Sequence, residues 1–160
     1  MSVAQSNAQR LNPSSTQIDP RGPRLAAILT TLVLAVTLVT GSGWLLAAQA
    51  VLFGIGAVRG VQRTPYAALF RRLVRPRLAP PSELEDAKPP QFAQAVGLAF
   101  AVVGVVGAVV GATPLFLAAT GLALGAAFLN AAFGFCLGCE IYLIARRFLP
   151  AARGIEEIPA

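Results

Sequence analysis

Residues 25–58 read LAAILTTLVLAVTLVTGSGWLLAAQAVLFGIGAV, with no charged side chain among them. The stretch is rich in Leu, Val and Ala and is interrupted by Gly41-Ser42-Gly43. A membrane span needs about 20 apolar residues. The part before the glycines comes close to that length. The part after them is shorter, and a short span is accommodated by its turn residues or by local thinning of the bilayer. Gly and Ser together mark a turn, so the two parts predict a helical hairpin, with spans over 25–42 and 43–58. Thr30, Thr31, Thr37 and Thr40 can return their hydroxyls to the helix's own carbonyls. Trp44 follows the turn, where an amphipathic ring anchors at an interface.

Downstream, the pattern changes and then repeats. Residues 66–78 carry Arg71, Arg72, Arg75 and Arg77 among Leu69, Phe70, Leu73, Val74 and Leu78. That mixture predicts a basic amphipathic helix lying on the membrane and broken near Pro76. Residues 79–90 form a Pro-rich linker with Glu83, Glu85 and Asp86, the natural divide between two halves. A third apolar span is expected over 91–111 and a fourth over 114–133, with Ala112-Thr113-Pro114 at the turn. Gly107 and Gly111, and again Gly121 and Gly125, lie four apart, a spacing used for close helix packing. Gly134 then breaks the helix, and 136–149 reads as a second amphipathic helix. Upstream, residues 1–18 are polar, lack the apolar core of a signal peptide, and predict a disordered tail. Residues 150–160 form a C-terminal tail. The fold class expected is an all-α membrane protein, with four transmembrane helices in two hairpins, each followed by an interfacial amphipathic helix, together covering 19–149.

Composition agrees. Of 160 residues, 56% are hydrophobic and 12% charged, and the mean hydropathy is +0.67. Soluble domains carry about 25% charged residues. The net charge of +6 comes from twelve arginines and one lysine, Lys88. These flank apolar runs and have few aromatic partners, so the expected partners are the bilayer and its anionic headgroups rather than nucleic acid. The two outer turns, around Ser42 and Thr113, carry no charge. All thirteen basic residues lie in the tail, the central segment and the C-terminal end. The positive-inside rule then predicts a multi-pass protein of the inner (plasma) membrane with both termini cytoplasmic. Each half also runs as hairpin, Tyr, apolar residues, Arg pair and Pro. The first copy is Tyr66, Arg71-Arg72 and Pro76; the second is Tyr142, Arg146-Arg147 and Pro150. Such a repeat is parallel, about an axis along the membrane normal.

Few residues are equipped for chemistry. There is no histidine, which removes imidazole acid–base catalysis, metal ligation and pH sensing. No Asp, Glu or Lys lies mid-span, which argues against a proton- or ion-coupled transporter. Gln49, Gln94 and Asn130 are the amides in or near the spans, and single amides there most often bond between helices. What remains is Cys136-Leu137-Gly138-Cys139. Two thiols at this spacing are too few for a disulfide framework and read as a redox or metal pair. Three apart on a helix, they share a face. With a helix beginning at about Phe135, Cys136 falls in the first turn, where the helix dipole favours thiolate. Cys139 is then the resolving thiol. Glu140 opposes a low thiol pKa unless it accepts a proton or pairs with Arg146 or Arg147. A tetrahedral metal site needs four ligands where one chain offers two, so no metal or cofactor is assigned. A homo-oligomer supplying four thiols stays open, as does a packing role for both cysteines.

Three strings carry a wider resemblance: Ile18-Asp19-Pro20-Arg21-Gly22-Pro23-Arg24, Phe70-Arg71-Arg72-Leu73-Val74-Arg75-Pro76, and Asn130-Ala131-Ala132-Phe133-Gly134-Phe135-Cys136-Leu137-Gly138-Cys139-Glu140. On these the chain resembles, from about Ile18 to Arg147, the bacterial membrane family catalogued as domain of unknown function 4395. The resemblance implies no established activity. It implies gene neighbours that are thioredoxin-like or sulfurtransferase proteins, and hence a partner of that kind. The first expectation is thiol–disulfide exchange or sulfur transfer through a cytoplasmic-side Cys-x-x-Cys. The alternatives are a non-catalytic membrane anchor or assembly protein with structural cysteines, and a small uncoupled permeation path along the Gly-rich third and fourth helices.

Overall fold

A chain with long apolar runs satisfies its backbone N–H and C=O groups internally, as helix. The computed structural model describes residues 16–148. It comprises β1 (Gln17–Ile18), α1 (Arg21–Thr40), α2 (Gly43–Arg59), α3 (Pro65–Leu69), β2 (Glu85–Asp86), α4 (Lys88–Val109), α5 (Thr113–Phe133) and α6 (Leu137–Phe148). Helices α1, α4 and α5 are long and apolar enough, by length and composition, to cross a membrane. Helix α2 is a shorter apolar helix of 17 residues. Its start is capped by Ser42, whose hydroxyl accepts the Leu45 N–H at 3.4 Å, as the turn residues predict.

Helix α1 packs on α2 and α5, and α4 packs on α2 and α5. The four long helices therefore form a ring in the order α1, α2, α4, α5. Helix α3 packs on α1, and α6 packs on α4. Exchanging α1 with α4, α2 with α5 and α3 with α6 maps each of these contacts onto another, as a parallel repeat requires.

The inside of the ring is small. Leu34, Leu46 and Ala101 are fully buried, with Phe53, Phe116 and Ala123 beside them. Larger apolar side chains point outward: Val39 is 88% exposed, Val58 and Val109 80%, and Trp44 88%. A water-soluble bundle reverses this distribution. The glycine contacts differ from the expected four-residue spacing. A Cβ at Gly104 would lie 2.6 Å from Leu46 Cδ2, and one at Gly107 would lie 2.7 Å from the Phe116 backbone nitrogen. Gly111, Gly121 and Gly125 have nothing within 4 Å, because Gly111 closes the turn after α4 and the α5 glycines face out of the ring. Hydroxyls of Thr31, Thr37 and Thr40 do return to the carbonyls of Ala27, Val33 and Val36, at 2.7–2.8 Å.

Gln49 bonds between helices. Its amide nitrogen donates to Thr30 Oγ1 of α1 at 3.4 Å, and its Oε1 accepts the Tyr66 phenol of α3 at 2.9 Å. Burial raises the Tyr66 pKa above 10.0, so the phenol stays protonated and able to donate.

The central segment departs from a regular amphipathic helix over 66–78. Helix α3 lasts five residues, widens to a π turn over Phe70–Val74 and tightens to a 3₁₀ turn over Arg75–Arg77. Pro76 lacks the N–H that an α-helix would use, and its ring clashes with a carbonyl one turn back. The linker expected over 79–90 holds β2 and the start of α4. Strand β2 pairs antiparallel with β1, Gln17 opposite Asp86 and Ile18 opposite Glu85. The inner end of the tail expected over 1–18 is thus tied to the second half. Residues 1–15 of that tail, and the C-terminal tail over 150–160, lie outside the described residues.

Tyr66→Phe removes the donor to an oxygen of Gln49, a residue only 1% exposed. The expected loss is about 1 kcal/mol in a denaturant titration in micelles. Tyr142→Phe, which keeps the ring that meets Phe92 and Arg146, should cost less than half as much. Equal losses would show that the phenol bond contributes nothing.

Candidate functional site at the start of helix α6

The site is built from two helix ends joined by three residues. Helix α5 stops at Gly134, which takes φ 69° in the left-handed region. The Phe135 N–H reaches back to Leu129 O at 3.3 Å and the Gly134 N–H to Asn130 O at 3.0 Å. This is an αL ending, with a wider bond from Phe135 outside it, and it uses glycine because a Cβ is costly at that φ. The remaining carbonyls meet a cation: Arg24 of α1 donates to Ala131 O at 3.4 Å and Ala132 O at 3.5 Å. A guanidinium there also complements the negative end of the α5 dipole.

This closing turn occupies Phe135, so α6 cannot start at the residue expected from sequence. It starts at Leu137. Cys136 is the capping residue, and its carbonyl accepts the Glu140 N–H at 3.0 Å. Cys139 lies in the first turn. The two cysteines are joined as a disulfide, with Cα atoms 5.2 Å apart, and both are half-buried. The N–H groups of the first turn of α6 stand at the Cys136 end of the helix, as at any helix start.

Gly138, between the cysteines, is buried. A Cβ on it would lie 2.6 Å from both Cα and Cβ of Ala93, so α6 meets α4 backbone to backbone at this point. One turn on, Tyr142 packs against Phe92 with ring centroids 5.7 Å apart, and the Arg146 guanidinium lies 5.9 Å from the Tyr142 ring centre. Glu140 is exposed in the first turn, six residues ahead of Arg146, a rise of about 9 Å. A helical ion pair needs a spacing of three or four, so the structure does not bring Glu140 to Arg146 or Arg147. Its carboxylate instead sits at the favourable, N-terminal end of the helix dipole.

Behind the pair lies a cavity of about 300 Å³. All four ring helices and α6 contribute to its wall, including Thr30, Phe53, Gln94, Phe100, Asn130 and Cys136. Gln94 and Asn130, expected to bond between helices, therefore line a cavity. Sequence reasoning found the cysteines but neither Gly138 nor Arg24. The signal for Gly138 was its place inside the motif. Arg24 acts over a separation of 107 residues, and no local pattern reports that.

A family model described as "Domain of unknown function (DUF4395)" matches residues 18–147, a span that includes both helical halves and the cysteine pair. No curated protein and no solved structure matches the chain.

Gly138→Ala should push α6 off α4 and cost about 1–3 kcal/mol, the usual range for overpacking. It should also speed alkylation of the reduced cysteines. Gly121→Ala, with open space at that position, is the control and should leave both unchanged. If Gly138→Ala and Gly121→Ala match in stability and alkylation rate, the close contact at Ala93 does not hold α6.

Proposed function

The chain belongs to the DUF4395 family, and from that premise we propose that it is a membrane thiol–disulfide exchange protein. The observation that carries the reading is the position of the pair. Cys136 caps α6, Cys139 lies one turn on, and the two sulfurs are bonded to each other. A partner's thiolate attacks Cys136 Sγ, the Cys136–Cys139 bond breaks, and Cys139 leaves as thiolate. The partner's second thiol then attacks the mixed disulfide, releasing Cys136 with the partner oxidised and the pair reduced. The reverse sequence uses the same mixed disulfide. Stabilisation of the Cys136 thiolate by the α6 amides makes it the entering and leaving group. The same nucleophile accepts a sulfane sulfur from a persulfide donor, leaving Cys136 as the persulfide and the donor as thiolate.

The proposal places the exchange at the cytoplasmic face of the inner membrane. Four spans, α1, α2, α4 and α5, run with both termini inside. Charge supports this orientation: Arg21, Arg24, Arg59 and Lys88 stand at the same end of the ring as α6, and the turns at the other end are uncharged. Helix α2 is about 25 Å long at 1.5 Å per residue, within reach of a locally thinned bilayer. Arg71 and Arg75 line a cavity of about 270 Å³ together with Phe70 and Leu84, a setting suited to an anionic headgroup. The soluble partner proposed is thioredoxin-like or a sulfurtransferase.

With the reduced chain in inverted membrane vesicles, a membrane-impermeant maleimide should label Cys136 with a midpoint below the ordinary thiol value of about 8.5. Mild oxidation should abolish labelling. Cys139→Ser should trap a mixed disulfide with a thioredoxin-like dithiol protein, and Cys136→Ser should trap none. If both serine variants behave as wild type and neither thiol reacts before solubilisation, the cysteines only pack and the chain is an anchor.

A further inference from the structure

We propose that the cavity beside Cys136 binds a lipid-soluble quinone, which takes the electron pair of the reduced Cys136–Cys139 dithiol. This rests on the thiol-exchange reading and names the acceptor for that site.

Access is the first argument. Leu122 and Ile141 belong to the cavity wall and are 61% and 48% exposed. Both are apolar, and Leu122 belongs to α5, a helix long and apolar enough to cross a membrane, so an entering molecule comes past it from the lipid phase.

The lining is the second. Small-ligand pockets run from about 300 to 1,000 Å³, with apolar and aromatic walls and a few placed polar groups. This one, at about 300 Å³, has room for one ring with a tail leaving past the rim. Phe53 and Phe100 supply flat apolar surface. Phe53 is held in place, since a Cβ on the facing Gly97 would lie 2.9 Å from its ring. Gln94 and Asn130 bring amide donors from α4 and α5, and Thr30 brings a hydroxyl from α1. A saturated acyl chain has no use for these groups, whereas a quinone has two carbonyl oxygens to receive them.

Position is the third. Cys136 lines the cavity and Cys139 does not. The thiol with the stabilised anion therefore faces the ring. Its thiolate adds to a ring carbon, forming a C–S bond as a carbonyl oxygen takes a proton. Cys139 thiolate then attacks Cys136 Sγ, the S–S bond forms, and the C–S bond breaks. The electron pair returns to the ring, whose second oxygen is protonated. The dithiol loses two electrons and two protons, and the quinone leaves as hydroquinone.

The test uses the full chain in detergent micelles, reduced and freed of reductant, without oxygen. The probes are decyl-ubiquinone and a short-chain menaquinone, whose fully substituted rings do not retain a thiol. One hydroquinone should form per two thiols lost. The Cys136→Ser/Cys139→Ser variant should still retain decyl-ubiquinone saturably above empty micelles. Gln94→Leu and Asn130→Leu should each weaken that retention about five- to tenfold, the effect of one lost hydrogen bond. Ala126→Phe, which fills the cavity, should abolish quinone reduction while leaving exchange with a soluble dithiol protein intact, and Ala126→Met should give an intermediate loss. If the wild type exchanges with the dithiol protein but neither retains nor reduces either quinone, the inference is overturned, thiol exchange stands, and the cavity holds lipid chains. Equal quinone reduction by wild type and Ala126→Phe also overturns it, since the reaction then lies outside the cavity. If the wild type reacts with neither the dithiol protein nor the quinones, thiol exchange itself fails and takes this inference with it.

Discussion

A backbone amide or carbonyl that faces hydrocarbon has no water to pair with, and each one left unpaired costs several kcal/mol. That constraint makes the apolar runs of this chain helical. It also leaves unpaired backbone polarity at the ends of the helices. At the end of α5, two carbonyls accept the Gly134 and Phe135 amides and two more accept Arg24. Three residues later, at the start of α6, the surplus is of the opposite kind, and a cysteine occupies the capping position. The pair of helix ends sets a guanidinium and a row of amides around one short loop.

The ring explains why there is space behind the loop. Helices that cannot use the hydrophobic effect against lipid pack by close approach through small residues. Gly104 and Gly107 bring α4 near α2 and α5 at the turn end of the bundle. Toward the arginine end, Ala27, Ala93, Ala126 and Ala127 line the wall, and large side chains do not fill the gap that opens between them. Gly138 then brings the start of α6 onto Ala93 as a floor. The same economy of side chains that tightens one end of the bundle leaves a cavity at the other. Gln49, Thr30 and Tyr66 join α1, α2 and α3 by hydrogen bonds rather than by bulk.

Much of this was legible in the residues. The apolar runs, the charge-free turns and the glycine after Phe133 announce the helices to within a few positions, because helix length and helix breakers are local properties. The irregular course of Phe70–Arg77 was only half legible. Pro76 signals a break, but whether the preceding turn tightens or widens depends on what Phe70 packs against, and Phe70 is 4% exposed. The Gln17–Asp86 ladder was not legible, since two-residue strands carry no periodicity and their partners lie far apart in sequence. Glycine spacing misled in α5. A four-residue interval shows that two glycines share a face, not which face, and here it is the outer one. The cysteines were found by their spacing. Their surroundings were not, because Arg24, Phe53, Ala93 and Phe100 come from three other helices.

A thiol pair at a helix start is by itself a device for reactions in water. Its neighbours here set it at the edge of an apolar cavity. Cys136 and Cys139 are both half-buried and lie at the end of the ring where Arg21, Arg24, Arg59 and Lys88 stand. Cys136 also borders an apolar cavity whose rim is exposed Leu and Ile. On the exchange reading proposed above, electrons delivered to such a pair are one sulfur away from that cavity. Neither half of the repeat achieves this alone. The first half contributes Arg24, Thr30 and Phe53 but has Arg63-Thr64-Pro65 where the second has the end of its cysteine motif. The second contributes the thiols and both amides but leaves its cavity unwalled on two sides. The two hairpins together wall the cavity and the second one carries the cysteines, so the site lies where the two halves meet.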